Sequence, residues 1–173
     1  MIRFEKVTPN NWRQGLKVSE AQKMYVANDM QILARAYAFR DMRSNALFIY
    51  NGERPIGMVL YYDCDELSSY VFSELFIDER YQSQGFGRET VSKILELMKN
   101  DGKYDCVVLC YKTENTVARD LYSSFGFKHT GEQVIPKSLY LHIFIACNTQ
   151  VKQHICSDQQ LGYSPCMFVF LDE

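Results

Sequence analysis

Asp78-Glu79-Arg80-Tyr81-Gln82-Ser83-Gln84-Gly85-Phe86-Gly87-Arg88 is the stretch on which the fold turns. An apolar, β-like run precedes it, Tyr70-Val71-Phe72 through Leu75-Phe76-Ile77. A helix-like run follows from Glu89 to Asn100, with Val91, Ile94, Leu95 and Met98 on one stripe. The residues between are polar, with two glycines and no proline. Such a loop can turn successive N–H groups inward and run on into a helix N-terminus. Unpaired amides and the helix dipole both favour an anion there. Gly85 and Gly87 remove the Cβ atoms that would hold a phosphate away from the backbone, and Arg80 and Arg88 can add positive charge at the rim. The stretch reads as a phosphate cradle.

Two better-known cradles fit poorly. A P-loop requires Gly-Lys-Ser/Thr, whereas Gly87 is followed by Arg88-Glu89. A dinucleotide fingerprint requires a third small residue where Thr90 stands. What remains is Gln82-x-x-Gly85-x-Gly87, and this resembles the pyrophosphate-binding signature of the GNAT superfamily of N-acetyltransferases. In that superfamily the anion is the diphosphate of coenzyme A.

Composition sets the frame. A chain of 173 residues is expected to form one domain with a real core, residues 1–147, followed by a tail, residues 148–173. Hydrophobic residues make up 47% and charged residues 23%, as in ordinary soluble proteins. A net charge of −2 and the lack of a basic run argue against nucleic-acid binding. The six cysteines form no CxxC pair, and the charged N-terminus carries no apolar signal region; reduced thiols in the cytoplasm are expected. Cys106 and Cys110 fall on one face of a predicted strand, where core packing is the simplest role. The longest apolar-rich run, Leu139 to Cys147, is too short to span a bilayer and contains His142. His129, His142 and His154 are scattered, so no metal site is expected.

In chain order, Ile2-Arg3-Phe4-Glu5 alternates as a strand. Thr8-Pro9 reads as a capped helix start, with Val7 and Trp12 at the staple positions. Ser19-x-x-Gln22 and Asn28-x-x-Gln31 are capping-box patterns, predicting two helical pieces over residues 20–39. Ile32, Leu33, Ala36 and Tyr37 give the second a buried stripe. Tyr25 and Tyr37 read first as core, although such helices often border an acceptor pocket. Ala46–Tyr50 and Ile56–Tyr62 form a predicted hairpin. The polar link Asp63-Cys64-Asp65-Glu66 leads to the strand before the cradle. Asp101-Gly102-Lys103 ends the long helix, Cys106–Tyr111 is a buried strand, and a short helix runs from Asn115 towards Gly126. The class is α/β (α+β) with a meander.

The second informative stretch is Asn115-x-x-Ala118-x-x-x-Tyr122-x-x-x-Gly126-Phe127. On a helix this spacing sets Asn115, Ala118 and Tyr122 along one face. Ala118 is small enough for close approach of a ligand, and Tyr122 presents a hydroxyl beyond it. The same spacing is found downstream of the cradle in GNAT enzymes. The resemblance covers residues 1 to about 132. Leu16–Ala27, Phe76–Gln82 and Leu121–Glu132 look like the bacterial diamine and spermine/spermidine acetyltransferase branch.

The resemblance implies a central mixed, mostly antiparallel sheet flanked by helices, with two parallel strands splayed around acetyl-CoA. Leu75, Phe76 and Ile77 would pair with the pantetheine arm. Amides of Gln82, Ser83, Gln84, Gly85, Phe86, Gly87 and Arg88 would hold the diphosphate, and Asn115 and Ala118 would flank the arm near the thioester.

An amine acceptor with a pKa of about 10.4 arrives protonated, and freeing it at pH 7 costs roughly 4–5 kcal/mol. Glu74 is the candidate base, since strand alternation groups it with Phe72 and Phe76, apolar company that raises a carboxyl pKa. A surface or salt-bridged carboxylate is the equal alternative. Related enzymes carry an acidic residue at this position or the one before, and Ser73 is not acidic. Tyr122 is the candidate donor to the departing sulfur. No cysteine sits at a helix start in electropositive company, so direct attack in a ternary complex is expected. For the acceptor, Glu74, Asp65 and Glu66 are candidate polyamine carboxylates, with a solvated turn as the plainer reading of the link. A small amine such as spermidine or spermine is the expected partner. A protein or peptide amine, or a non-catalytic acetyl-CoA sensor, stays open; turnover and acceptor competition separate them. Beyond Glu132 the chain departs from the family. Residues 148–173 are surplus: they add a strand, exchange between subunits of a homodimer, or form a tail.

Overall fold

The computed structural model describes residues 1–112, 114–134 and 141–147, with side chains through His129. The expected tail, residues 148–173, lies outside the described residues. Strands β1 (Ile2–Lys6), β2 (Asn45–Asn51), β3 (Arg54–Cys64), β4 (Ser69–Ile77), β5 (Cys106–Lys112), β6 (Lys128–Val134) and β7 (Leu141–Cys147) build the sheet. Helices α1 (Asp29–Ala38), α2 (Phe86–Asp101) and α3 (Thr116–Ser123) flank it. The strand order is β1-β2-β3-β4-β5-β7-β6. Every neighbouring pair is antiparallel except β4 with β5.

Both faces of the sheet are covered, which is why its central strands read as unbroken apolar runs rather than alternating ones. On one face Ile49, Val59, Phe72 and Leu109 pack with Val91, Ile94 and Met98 of α2. On the other, Phe48, Met58, Leu60 and Phe76 pack with Ile32 of α1 and with Leu16 and Val18. Truncating a fully buried Ile32 or Ile94 to alanine is worth about 2–5 kcal/mol of stability.

The helix signals divide. Asn28 forms the expected reciprocal capping box with Gln31 and starts α1. The other two starts do not propagate. Thr8 accepts from the amides of Asn11 and Trp12 at 3.2 and 3.1 Å, and the turn stops there. Ser19 and Gln22 head overlapping turns through Val26 rather than a helix. Between them, residues 13–19 run without helix or strand, through Gly15 at φ +62°, and bury Leu16 and Val18. A helix there would withdraw both from the core. Tyr37, expected on the buried stripe, is 71% exposed. The α2 stripe is as expected, and Gly102, at φ +66°, ends that helix by donating to the Met98 carbonyl.

Cys106 is disulfide-bonded, which departs from the expected reduced thiols, whereas Cys64 and Cys110 are free. Among the described residues no helix is long and apolar enough to cross a membrane.

A candidate acetyl-transfer cleft

Strands β4 and β5 pair only from Ser69 with Cys106 to Phe72 with Leu109. Beyond that they part. A bulge explains the divergence: Tyr61 pairs with Phe72 and Leu60 with Glu74, so Ser73 is an extra residue in β4. Bulges bend the strand that carries them. This one also changes the phase of β4. Phe72 packs on the α2 face and Phe76 on the α1 face, although four residues separate them. The expected grouping of Glu74 with both phenylalanines is therefore corrected: Glu74 shares its face with Phe76 alone.

The parted strands enclose a cleft of about 680 Å³, within the range of small-molecule sites. Glu74, Leu75, Phe76 and Ile77 form one wall. Asn115, Ala118 and Tyr122 of the second motif form the facing wall, and Gln82, Ser83, Gly85, Phe86 and Gly87 close one end. Two motifs far apart in sequence thus meet in one cavity. Gln84 and Arg88 are not among the lining side chains; the Arg88 guanidinium lies 5.4 Å from the Phe125 ring centroid.

The loop is built to offer amides. Ser83 and Gly85 both lie in the left-handed region, at φ +60° and +84°. For Ser83 this costs on the order of 1–2 kcal/mol, the kind of strain that persists where a backbone must face a ligand. Helix α2 starts at Phe86 with no side-chain cap, and its first backbone bond is Glu89 N–H to Gly85 O at 3.0 Å. The N–H groups of Phe86, Gly87 and Arg88 precede that bond and have no helical carbonyl to meet. A Cβ at Gly87 would meet only Leu121 Cδ2, at 4.0 Å, so the space in front of it is open. These features fit a diphosphate.

The loop itself is fastened by side chains. Gln82 Nε2 donates to Gln22 Oε1 at 2.6 Å and to the Ile77 carbonyl at 2.8 Å. Asp78, buried at the end of β4, accepts from Arg80 Nε and Nη2, both at 2.7 Å. It also accepts from the Lys17 amide at 2.8 Å. Arg80 is therefore committed to Asp78 and is not the free rim charge that sequence alone suggested.

Glu74 is nine-tenths buried as a side chain and hydrogen-bonds through Oε1 to Arg35 of α1. Its Oε2 accepts from the Ala27 amide at 3.3 Å. Burial pushes the Glu74 carboxyl above its ordinary pKa, and Arg35 and the Ala27 amide pull only part of the way back. Tyr122 stacks edge-on against Phe72 and Phe127, with centroids 5.9 and 5.8 Å away. Burial, and then the charge of Glu74, push its hydroxyl well above the ordinary tyrosine pKa. Ser73 Oγ, at the bulge, is buried with no hydrogen-bond partner among the described residues. The Cys110 thiol in the same cleft is pushed up to about 12 by burial, which disfavours a thiolate. Asn115 caps α3, accepting from the Ala118 amide at 3.1 Å, so its side chain holds the helix that bears Tyr122.

Asp65 and Glu66 are not brought to the cleft. Asp65 lies in the β3–β4 turn, where Lys103 Nζ approaches it at 2.9 Å and the Tyr104 hydroxyl bonds to it. At about 3.3 Å per residue, the start of β4 is roughly 16 Å from Glu74. Asp63 is likewise held by Lys103 and Arg43, at 2.7 and 3.2 Å. Conversely, sequence alone places Asp78 only at the head of the cradle stretch and Gln22 only in a capping box, and gives Arg35 no role. The one trace of Arg35 is a charge one turn after Ile32, beside Ala36, on the face that packs.

The acetyltransferase (GNAT) family model matches residues 10–127. The Bacillus subtilis (strain 168) spermine/spermidine N(1)-acetyltransferase is 29% identical over 139 residues, 76% of this chain and 90% of that protein. The Vibrio cholerae spermidine N-acetyltransferase, solved with CoA and spermine, superposes at TM-score 0.68 with 15% identity, covering 84% of this chain and 95% of that one. The Escherichia coli ribosomal-protein-S18-alanine N-acetyltransferase superposes at 0.65 with 14% identity, covering 89% and 98%. With its cradle, its parted strands and a family match through both motifs, the chain belongs to the GNAT family and is an acetyl-CoA-dependent N-acetyltransferase.

Proposed function

We propose that the acceptor is a polyamine or diamine of the spermidine class, acetylated by direct attack within a ternary complex. One observation carries this reading. Among the described residues lining the cleft, the charged side chains are Glu74 and Glu114, and no lysine or arginine joins them. Backbone amides meet the diphosphate at the cradle end, and away from it such a lining offers a cation carboxylate oxygens and no competing cation on the cleft surface. The distant spermine/spermidine relative supports the same class.

In this reading the amides from Gln82 to Arg88 hold the diphosphate, the open edge of β4 over Leu75–Ile77 meets the pantetheine arm, and Asn115 and Ala118 border the thioester. Glu74 takes the ammonium proton, directly or through one water. Its raised pKa narrows the gap that a base must bridge at neutral pH. The freed nitrogen forms the N–C bond, backbone amides at the β4 edge face the developing oxyanion, and the C–S bond breaks. The departing thiolate has a pKa near 8.5. Tyr122, still protonated at that stage, donates its proton to the sulfur and takes the one that the new amide nitrogen sheds, so it ends neutral. Glu74 returns the ammonium proton to water.

A CoA-release assay with spermidine, propylamine and a lysine-containing peptide in competition tests the acceptor class. Spermidine is expected to lead in kcat/KM by at least about tenfold, a difference of roughly 1.4 kcal/mol. A peptide that outruns spermidine overturns the proposal.

A further inference from the structure

We infer that Arg35 is a positioning residue of the transfer site, whose guanidinium fixes the Glu74 carboxylate in the cleft wall and keeps it charged between turnovers. The inference rests on the reading of Glu74 as the proton acceptor. A carboxylate buried as deeply as this one cannot stay ionised without a partner. Arg35 supplies it from α1, across 39 residues of chain. The Ala27 amide holds the second oxygen, so both carboxylate oxygens are fixed by α1 and the segment just before it. Arg35 keeps 26% of its side-chain surface exposed and does not line the cleft. It therefore acts on Glu74 and not on the substrate.

The other titratable groups of the cleft do not replace it. Tyr122 from α3, Glu114 just before that helix, Tyr25 from the segment before α1, Tyr81 from the loop after β4, and Cys110 and Tyr111 from β5 border the same cleft. None of them is a cation. Opposite Glu74 on β3 stands Leu60, with nothing to titrate. Arg35 is the cation that touches Glu74, and its removal leaves burial unopposed by charge.

The test follows the Glu side-chain carboxyl carbons by NMR across pH in the parent, Arg35→Gln and Arg35→Lys proteins, with Glu74→Gln assigning the resonance. The kcat/KM profile for spermidine is measured in parallel. Arg35→Gln keeps a hydrogen-bond donor without the charge. It is expected to raise the Glu74 midpoint by about one unit or more and to carry the acidic limb of kcat/KM upward with it. Arg35→Lys is expected to stay near the parent. A Glu74 midpoint unchanged in Arg35→Gln overturns the inference. If the midpoint moves while the kinetic limb stays put, Arg35 still fixes Glu74 but Glu74 is not the proton acceptor, and the mechanism falls instead. The NMR readout does not depend on which amine is accepted.

Discussion

Asp78 and Lys17 are joined by a 2.8 Å hydrogen bond from backbone amide to buried carboxylate, and Glu79 N–H returns a bond of 3.1 Å to the Lys17 carbonyl. This two-way tie fixes the unstructured segment 13–19 against the strand end from which the cradle departs. Burial alone would raise the Asp78 pKa, yet its bonds from Arg80 and Lys17 outweigh this and hold it at about 2. A carboxyl with its folded pKa depressed stabilises the fold above the unfolded value, about 3.9. That stabilisation drains away as pH falls from about 4 through about 2. Asp78→Asn should therefore be clearly less stable than the parent at pH 7, by about 1–3 kcal/mol. The gap should close towards pH 2. Parallel melting curves across pH 2–5 would show that the carboxylate charge is not what matters.

Gly87→Glu places bulk and negative charge where the cradle is open. Only Leu121 is near its Cβ position, so the fold should hold. Calorimetry should find no CoA binding in a protein that melts normally. Retained affinity would move the diphosphate elsewhere.

Tyr122→Phe keeps the ring that packs on Phe72 and Phe127 and removes the hydroxyl. Turnover should drop at least about tenfold while the KM for acetyl-CoA changes little. Equal turnover would leave the tyrosine a packing residue.

Asp65→Asn combined with Glu66→Gln should leave KM for spermidine within about twofold of the parent. Asp65 already answers Lys103 and Tyr104 in an exposed turn, where ion pairs are worth about 1 kcal/mol or less. A rise confined to spermidine, with propylamine unaffected, would return this link to the acceptor site.

What could be read from the sequence follows from how far apart the interacting residues stand. Gly85 and Gly87 sit within three residues of one another, and their conformational demands are local, so the cradle was legible. So was the Asn115–Ala118–Tyr122 face, which helix geometry alone assembles. Asn28 with Gln31 is equally local, and its box formed. Thr8 and Ser19 carry the same kind of local signal, but burial of Leu16 and Val18 and the tie to Asp78 hold the chain out of a helix between them. Local preference is worth a kcal/mol or so, and tertiary burial outweighs it. The Arg35–Glu74 pair is a contact across 39 residues and had no local sign beyond a charge on a packed face. The phase change at Ser73 was hidden because serine at a bulge looks like serine in any strand.

The short pairing of β4 with β5 has a mechanical consequence. Only four residues of each strand join β1–β4 to the leaf made of β5, β7 and β6, so the sheet has a seam. The cleft opens at the end of that seam. A cosubstrate lodged there would work as a brace between the two leaves, and at one hundred times its Kd it would add about 2.7 kcal/mol against unfolding. Fluctuations that unzip the seam would be suppressed before those of the outer strands, and amide exchange from Cys106 to Leu109 should slow first. The place where the sheet is weakest by itself becomes, once loaded, the place where its halves are bound together.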